Sequence, residues 1–225
     1  MDISIIIPTA RPFEGFSKVV VDNINGIPAR HSYEIVIVSN EEVSGDNVVW
    51  LKEDGRRGPI WAFNYATQIS RSKYCIFLTD DHALTTNFSD GIDFLASDFK
   101  HSRFPINTLS GNPPSLNYNP TRGELLGYSP VDFEVQRHPL CKFPIFERER
   151  ALDALGGFIF HPNLFYHAGD ILLGYYMGMK GEPCIGSPVT VHEFSPSKDS
   201  SYEHLDCEIV KNKIREYHNE NSSYI

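Results

Sequence analysis

The chain has 225 residues, 41% of them hydrophobic, with 20 basic and 29 acidic residues and a formal net charge of -9 at pH 7. That length and apolar content are enough for one domain with a sizeable core. The acidic balance and the lack of a basic stripe exclude a nucleic-acid surface, and no apolar run approaches the ~20 residues that a membrane span needs.

The four cysteines are widely scattered, which argues against a zinc site. They form no CxxC pair and have no histidines at zinc-ligand spacing, so we expect reduced, mostly buried thiols. The four are Cys75, Cys141, Cys184 and Cys207. The N-terminus enters a β-like run directly, without a basic region or a cleavage site, and this predicts a cytoplasmic protein.

The first part of the chain alternates between strand-like and helix-like segments. The β-branched run Ile3–Ile7 predicts a strand, which Pro8 and Pro12 end because proline cannot continue a central strand. Apolar residues spaced three or four apart over 13–27 predict an amphipathic helix. A second buried strand is predicted over Tyr33–Val38, and the order strand, helix, strand is typical of a parallel, nucleotide-binding sheet.

The same alternation continues to residue 99. Val48–Leu51 predicts a short third strand, and a charged, glycine-containing loop follows it over 52–59. A helix is predicted over about 59–70, because proline suits a first helical turn. The apolar run Tyr74–Leu78 predicts a strand buried on both faces, and another helix is predicted over 88–99.

Two aspartates follow that buried strand. Ligands of such sheets bind beyond the carboxyl ends of the strands, which would place Asp80 and Asp81 at the rim of the binding crevice. Adjacent carboxylates repel each other unless a cation or hydrogen-bond donors offset their charge, and their oxygen atoms suit Mg²⁺ or Mn²⁺. An acidic loop or a helix cap is the alternative interpretation.

The second half of the chain is less regular. Prolines and asparagines between 105 and 144 predict sparse regular structure, with a long loop over 111–142 that shapes a pocket over the sheet rim. The aromatic residues of this loop argue against a disordered insertion. Further on, we predict a strand over 143–146, a helix over 147–155, a helix opened by Asp170 and ending near Met179, a strand over Pro188–His192, a surface helix from Tyr202 and a frayed tail over 219–225.

Six segments stand in an informative order and spacing. They are Ile5-Ile6-Ile7-Pro8-Thr9, Glu34-Ile35-Val36-Ile37-Val38, the loop and helix from Arg57-Gly58-Pro59 to Asn64, Thr79-Asp80-Asp81-His82, Leu155-Gly156-Gly157-Phe158, and Gly169-Asp170. Together they resemble a family 2 type glycosyltransferase of the GT-A fold, over about residues 3–195. Ser39-Asn40-Glu41 stands where many members carry an aspartate that contacts the nucleotide base.

The resemblance implies an α/β fold of the GT-A type, with a mostly parallel central sheet flanked by helices in a single domain over 1–225. It implies a nucleotide-sugar-binding half at about 1–100, an acceptor-side half at about 101–200, and a C-terminal helix and tail at 201–225. It also implies a metal-dependent, inverting hexosyltransferase that moves a sugar from a nucleotide-diphosphate donor to the hydroxyl of a saccharide or another acceptor.

The resemblance also implies roles for individual residues. Asp81 and His192 would hold Mn²⁺ or Mg²⁺, with His82 as the competing imidazole. Asp170 would be the general base, because an inverting transfer needs a base across the pocket from the metal. Donor contacts are expected from Pro8, Thr9, Arg11, Asn40, Arg57, Asn64 and Asp80. The reserve candidates for the base are Glu147, Glu149 and Asp153.

Each of these roles has an ordinary structural alternative. Asp170 at a helix start can be only a cap. His192 can be a rim histidine bound to water, and Arg57 can be an exposed loop arginine.

Two other functions compete with the transferase. A nucleotidyltransferase has a related sheet, but such enzymes carry a glycine-rich phosphate loop after the first strand, and residues 8–12 contain no glycine. A non-catalytic nucleotide- or sugar-binding domain is the other alternative, because a fold does not imply a function. The joint presence of Asp80, Asp81 and Asp170 argues against it.

Overall fold

The computed structural model describes residues 1–55, 57–111, 141–165, 169–194, 207–219 and 223–225. Their strands form one eight-stranded sheet in the order β3-β2-β1-β4-β7-β6-β8-β5. The strands are β1 (Ile3–Pro8), β2 (Tyr33–Ser39), β3 (Val48–Lys52), β4 (Tyr74–Phe77), β5 (His82–Leu84), β6 (Ile106–Gly111), β7 (Pro144–Glu147) and β8 (Gly186–Glu193). Residues 112–140 of the predicted long loop lie outside the described residues.

One half of the sheet is parallel, as predicted. Strands β3, β2, β1 and β4 run in the same direction, and Ile5 of β1 pairs with both Ile35 and Ile76. All six residues of β1 are buried. A parallel strand covered on both faces has a continuous apolar sequence, which is why the run Ile3–Ile7 predicted this strand correctly.

The other half of the sheet is mixed. Strand β7 is antiparallel to β4 and β6, whereas β8 is parallel to β6 and antiparallel to β5. The expectation of sparse regular structure is wrong for β6, which pairs on both sides. The short strand β5 was not predicted, because three residues show no period and its pairing with β8 depends on the tertiary structure.

Six described α-helices flank the sheet. They are α1 (Ser17–Asn25), α2 (Pro59–Ile69), α3 (Phe88–Asp98), α4 (Arg148–Ala154), α5 (Gly169–Met179) and α6 (Cys207–His218). Helix α1 is shorter than predicted, because a separate 3-10 turn occupies Phe13–Gly15 and the backbone of Phe16 leaves the helical region. None of the described helices combines the length and the apolar character that crossing a membrane requires.

Apolar side chains form a core on each face of the sheet. One core contains Ile24 of α1 and Leu95 of α3, and the other contains Phe63 of α2 and Leu172 of α5. Helix α3 approaches the sheet most closely at Gly91, where a Cβ would lie 2.7 Å from side-chain atoms of β7 and β8. Three cysteines, Cys75, Cys141 and Cys184, are free and buried, as predicted.

The C-terminal residues are anchored to the domain. Tyr224 is only 2% exposed, and its hydroxyl donates to Ile159 O at 2.9 Å. The Tyr217 hydroxyl in turn donates to Tyr224 O at 2.8 Å. The predicted fraying of 219–225 is therefore wrong for Tyr224, because its ring packs against Tyr176, with 5.0 Å between the ring centroids.

Candidate active site

The loops after β1, β2 and β4 meet at one edge of the sheet. The Thr9 N–H extends the ladder between β1 and β2 by donating to Val38 O at 3.0 Å. The Leu78 N–H extends the ladder between β1 and β4 by donating to Ile6 O at 3.0 Å. Because these parallel strands end side by side, the loop that begins at Thr9 lies next to the loop that contains Asp80.

Asp80 is buried, and residues of the β1 loop bind both of its carboxylate oxygens. Thr9 Oγ1 and Arg11 Nε donate to Oδ2, the second at 3.0 Å, and an NH2 of Arg11 donates to Oδ1. The Arg11 guanidinium also lies over the ring of Phe16, with Cζ 4.3 Å from the ring centroid. A buried carboxylate is costly unless it is paired, so Arg11 and Thr9 stabilise Asp80 at this position.

Asp81 lies beside Asp80 and has a different set of partners. Its Oδ1 accepts a hydrogen bond from Thr79 Oγ1 at 2.7 Å and lies 2.7 Å from His82 Nδ1. Its Oδ2 lies 3.0 Å from the guanidinium of Arg11. Burial would raise the pKa of Asp81, but the contacts with His82, Thr79 and Arg11 outweigh burial and hold this pKa well below its usual range. Asp81 is therefore ionised at neutral pH.

A divalent cation does not fit the two acids in this arrangement. The guanidinium of Arg11 lies against both Asp80 and Asp81, on oxygens that a metal ion would need. His82 is buried, and its Nδ1 is engaged by Asp81 and Thr79. Across the described ranges, no three acidic, histidine or cysteine side chains converge as metal ligands would. Binding of the predicted Mn²⁺ or Mg²⁺ to Asp81 therefore requires Arg11 to move.

The loops after β2 and β3 form a second wall of this rim. With its nitrogen turned toward the neighbouring carbonyls, the exposed Asn40 amide donates to Gly55 O at 3.1 Å and also to Glu53 O. The Glu53 N–H donates to Ser39 O at 2.9 Å. These contacts place Asn40, one of the residues expected to contact the donor, at the surface of the rim.

Glu53 is a buried carboxylate that was missed from the sequence. Its Oε1 accepts hydrogen bonds from the backbone N–H groups of Arg57 at 2.6 Å and Gly58 at 3.2 Å, just before α2. The exposed guanidinium of Arg57 lies over Trp61, with Cζ 4.7 Å from the ring centroid. An acid shortly before a predicted helix was the available signal, because helix starts carry unpaired N–H groups.

Asn64 has three backbone partners in the folded chain. Its Nδ2 donates to Phe160 O at 2.7 Å, and its Oδ1 accepts from the N–H groups of Ile159 and Phe160, both at 3.1 Å. These bonds tie α2 to the segment that follows Gly156-Gly157. The geometry supports Asn64 as a positioning residue. Pro8, also expected near the donor, is buried at the end of β1.

Lys142, a cation on the expected acceptor side, is the last residue of the predicted long loop. It is half-buried, and its Nζ lies 5.2 Å from the ring centroid of Phe143. Burial lowers the pKa of Lys142 below its usual range, and the carboxylates of Asp170, Glu193 and Asp81 oppose this effect, Asp170 most strongly. The ammonium group thus interacts electrostatically with Asp81, the expected metal ligand, and with Asp170, the predicted general base.

Asp170 lies in the first turn of α5, where the helix dipole favours a negative charge. The preceding residue, Gly169, allows the start of α5 to pack closely against its neighbours, because a Cβ there would lie 2.7 Å from Ile60 Cδ1 and 2.8 Å from Phe160 Cγ. Cys141 N–H donates to Asp170 O at 3.1 Å and ties α5 to the segment before β7. These contacts hold the start of α5, which carries Asp170, against α2 and against the segment before β7.

Comparison with known proteins identifies the fold. No family model and no curated protein sequence matches the chain. Among solved structures, the mannosyltransferase PcManGT from Pyrobaculum calidifontis, in complex with GDP-Man and Mn²⁺, matches with a TM-score of 0.62 and 17% identity over 98% of this chain and 76% of that chain. Residues 1–349 of S. aureus TarS, in complex with UDP-GlcNAc, match with a TM-score of 0.61 and 14% identity over 99% of this chain and 68% of that chain.

A third structure, GalNAc-T7 with UDP, GalNAc and Mn²⁺, matches with a TM-score of 0.62 and 12% identity over 88% of this chain and 44% of that chain. The chain has a GT-A fold. At such low identity the likeness shows the architecture and leaves the activity to be argued from the site. The GT-A fold predicted from the sequence is confirmed, and membership of family 2 stays a prediction.

Within the GT-A domain, His192 lies on the exposed side of β8. Successive side chains of a strand point to opposite faces, so His192 shares its face with Thr190 and Glu193 shares its face with the buried Val191. The charge of Glu193 also interacts with Lys142. The arrangement brings Glu193 toward the acids, so the predicted metal contact of His192 gains no support and stays a prediction.

The reserve candidates for the base lie at the opposite edge of the GT-A sheet. Strand β7 is antiparallel to β4, and Glu147 pairs with Tyr74, the first residue of β4. Asp80 comes three residues after Phe77, the last residue of that strand. Glu149 and Asp153 belong to α4, which begins directly after Glu147, and both are exposed. Considering these three acids as substitutes for Asp170 was wrong, because the topology separates them from the rim.

Proposed function

We propose that the chain is a glycosyltransferase that moves a hexosyl group from a nucleotide-diphosphate donor to an acceptor hydroxyl, with inversion at the anomeric carbon. The observation that carries the proposal is geometric: at one rim of a GT-A sheet, the adjacent acids Asp80 and Asp81 lie against Arg11 of the loop after β1. The charges of Asp81 and Asp170, which are distant in sequence, also both act on Lys142. A donor-side acid, a cation and an acceptor-side acid in one place are the groups that such a transfer requires.

The donor would bind over the loops after β1, β2 and β3. Asp80 and Thr9 provide hydrogen-bonding groups near the expected ribose position, and Asn40 and Arg57 are exposed where the base would lie. Arg11 is the cation closest to the two acids, and its guanidinium can bind phosphate oxygens with two parallel hydrogen bonds. These side chains support binding of a nucleoside diphosphate.

Asp170 would act as the general base. As the acceptor oxygen attacks the anomeric carbon, the bond from that carbon to the diphosphate oxygen breaks and the electron pair leaves with the diphosphate. The acceptor proton passes to the Asp170 carboxylate, whose negative charge is favoured by its place in the first turn of α5. Such a base contributes about 10² to 10⁴ in rate.

Metal dependence is part of the proposal, with Asp81 as the expected ligand of Mn²⁺ or Mg²⁺. Two of the matching structures, PcManGT and GalNAc-T7, contain Mn²⁺. The ionised carboxylate of Asp81 has the hard oxygen atoms that these cations prefer, once Arg11 no longer occupies it.

Thermal unfolding with UDP, GDP and dTDP, each with and without Mn²⁺, tests the proposal. A diphosphate at about 100 times its dissociation constant should stabilise the chain by about 2.7 kcal/mol, or roughly 5–10 °C. Inorganic diphosphate with Mn²⁺ is the control for binding without a base and a ribose.

The competing functions predict other outcomes in the same experiment. Stronger stabilisation by nucleoside triphosphates would support a nucleotidyltransferase. If no nucleotide changes the unfolding temperature, a non-catalytic domain becomes the better account. Incubation with UDP-, GDP- and dTDP-sugars, with release of the free diphosphate as the readout, then identifies the donor.

A further inference from the structure

We infer that Arg11 is a built-in competitor of the divalent cation, so that a metal ion binds to Asp81 only when a nucleoside diphosphate gives the guanidinium another partner. The inference rests on the proposed function, because it assumes that the rim binds a nucleoside diphosphate. It explains why the two acids, which have the chemistry of a metal site, are arranged around an arginine instead.

The contacts of Arg11 with the two acids are unequal. Asp80 receives hydrogen bonds from Nε and NH2 of Arg11 on its two carboxylate oxygens, and Thr9 adds a third donor. Asp81 receives a single contact, at 3.0 Å, from the NH2 group that also binds Asp80. Asp80 is therefore the fixed partner of the guanidinium, and Asp81 is the exchangeable one.

The surroundings of Asp81 fit an exchange of cations. Its Oδ1 is held by Thr79 and His82, so the carboxylate keeps its orientation when Oδ2 changes partner. Its side chain is 16% exposed, compared with 7% for that of Asp80, and it is the more accessible of the two acids to an ion from solvent.

Arg11 can give up this contact without becoming unpaired. It keeps Asp80 and the ring of Phe16, and its own side chain is 25% exposed. A diphosphate beside Asp80 would supply anionic oxygens within reach of the same NH2 group. Without the diphosphate, a metal ion at Asp81 and the guanidinium of Arg11 would repel each other. When the diphosphate is bound, its negative charge offsets both cations, so metal and nucleotide should bind with positive coupling.

Titration of Mn²⁺ followed by the electron paramagnetic resonance signal of the free ion tests the inference. The wild-type chain should bind Mn²⁺ weakly alone and at least about tenfold more tightly with saturating UDP or GDP. Arg11→Gln, which removes the guanidinium charge, should bind Mn²⁺ alone at least about tenfold more tightly than the wild type. Adding Asp81→Asn to Arg11→Gln should abolish that gain.

The chain offers a matched control at another site. Arg30 also joins two aspartates, Asp90 at 2.7 Å and Asp93 at 2.6 Å, but on the exposed surface near α3. Arg30→Gln should leave Mn²⁺ binding unchanged, which separates a local effect of Arg11 from a general change of net charge. Arg11→Lys keeps the positive charge and should gain less Mn²⁺ affinity than Arg11→Gln. If Arg11→Gln fails to fold, the wild-type titrations with and without nucleotide still decide the inference.

Equal Mn²⁺ affinity of the wild type and Arg11→Gln without nucleotide would overturn the inference, as would equal affinity of the wild type with and without a bound nucleotide. Failure of Mn²⁺ to bind any variant would overturn it as well. Failure of every nucleoside diphosphate to bind, with or without Mn²⁺, would count against the proposed function. The comparison of Arg11 variants with Mn²⁺ alone keeps these two failures distinguishable.

Discussion

The proposed donor side and the proposed acceptor side of the rim are built in different ways. The donor-side cluster comes from loops after two neighbouring parallel strands and consists of Thr9, Arg11, Asp80 and Asp81. The acceptor-side cluster comes from three elements that are far apart in sequence and consists of Lys142, Asp170 and Glu193. Backbone ladders position the first cluster. In the second, close packing of α5 against α2 positions Asp170, whereas Lys142 precedes β7 and Glu193 ends β8.

This difference predicts which kind of substitution should damage each side. The donor-side cluster is a network of charged hydrogen bonds, so it should be sensitive to loss of charge. The acceptor-side cluster depends on Gly169, which lets α5 approach α2 without a Cβ, so it should be sensitive to added volume. Three predictions test this contrast and a fourth tests the pH dependence of stability, in order of decreasing expected effect.

Asp170→Asn should lose about 10² to 10⁴ in turnover while donor binding stays unchanged. Asparagine has nearly the same shape and can still cap the helix, but it does not accept the acceptor proton. Steady-state turnover with a sugar donor and calorimetric donor binding together give the measurement. Asp153→Asn, on the exposed surface of α4, is the control and should keep wild-type turnover. Near-native turnover of Asp170→Asn would remove the catalytic assignment.

Gly169→Ala should destabilise the chain by about 1–3 kcal/mol, because the new methyl group would overlap Ile60 and Phe160. It should also reduce turnover more than nucleotide affinity, because α5 carries Asp170 and the donor-side cluster lies elsewhere. Urea unfolding and donor titration measure the two effects. Gly15→Ala is the matched control, since a Cβ there meets no atom within 4 Å. Equal losses in donor affinity and turnover would argue against a separate acceptor side.

Asp80→Asn should destabilise the chain by about 1–2 kcal/mol and weaken nucleoside-diphosphate binding. The loss is smaller than for a fully buried ion pair, because Arg11 is partly exposed and keeps its contact with Asp81. Chemical denaturation and calorimetry provide the values. Asp22→Asn, which breaks only an exposed pair with Lys18, should change neither. Unchanged nucleotide binding by Asp80→Asn would contradict the donor-side assignment.

His161 should make stability fall as the pH is lowered. The pKa of His161 is lowered from 6.5 to about 4, mainly by burial and also by the charge of Lys213, while Glu216 opposes the shift. Between these values the unfolded chain binds the proton and the folded chain does not, so stability is lost as pH falls from 6.5 toward 4. The loss at pH 5.5 is about 1 kcal/mol.

His161→Gln should remove this part of the pH dependence, seen as the difference between wild-type and variant unfolding free energies at pH 7.5 and 5.5. The exposed His101 is the control, and His101→Gln should follow the wild type at both pH values. A wild-type pH dependence in His161→Gln would show that other groups cause the effect.

The strands and helices near the donor side could be predicted closely from local pattern. The helices predicted from periodicity over 59–70 and 88–99 are Pro59–Ile69 and Phe88–Asp98 in the structure. The short strand β5 and the anchored Tyr224 could not be predicted, because β5 depends on pairing with β8 and Tyr224 on a pocket built by distant residues. In such cases tertiary contacts override local preference.

The candidate site divides in the same way. Asp80 and Asp81 were predictable, because an apolar strand that ends in two acids marks a rim by itself. Lys142 was not, because nothing in its local sequence distinguishes a half-buried charge from a solvated one. For Glu53 the local signal was only its position shortly before a predicted helix, which does not show that the carboxylate is buried. Both roles depend on neighbours that the chain brings from other elements.

By itself, the sequence determined the parallel half of the sheet, the helices behind it and the acids at its edge, because apolar period and strand length are local properties. Only the tertiary structure decided that Arg11 would occupy both acids, that Glu193 and not His192 would share a face with the buried Val191, and that Glu147 would lie at the far edge. Those outcomes follow from strand order and from the alternation of side chains along β8, which depend on how distant segments pair.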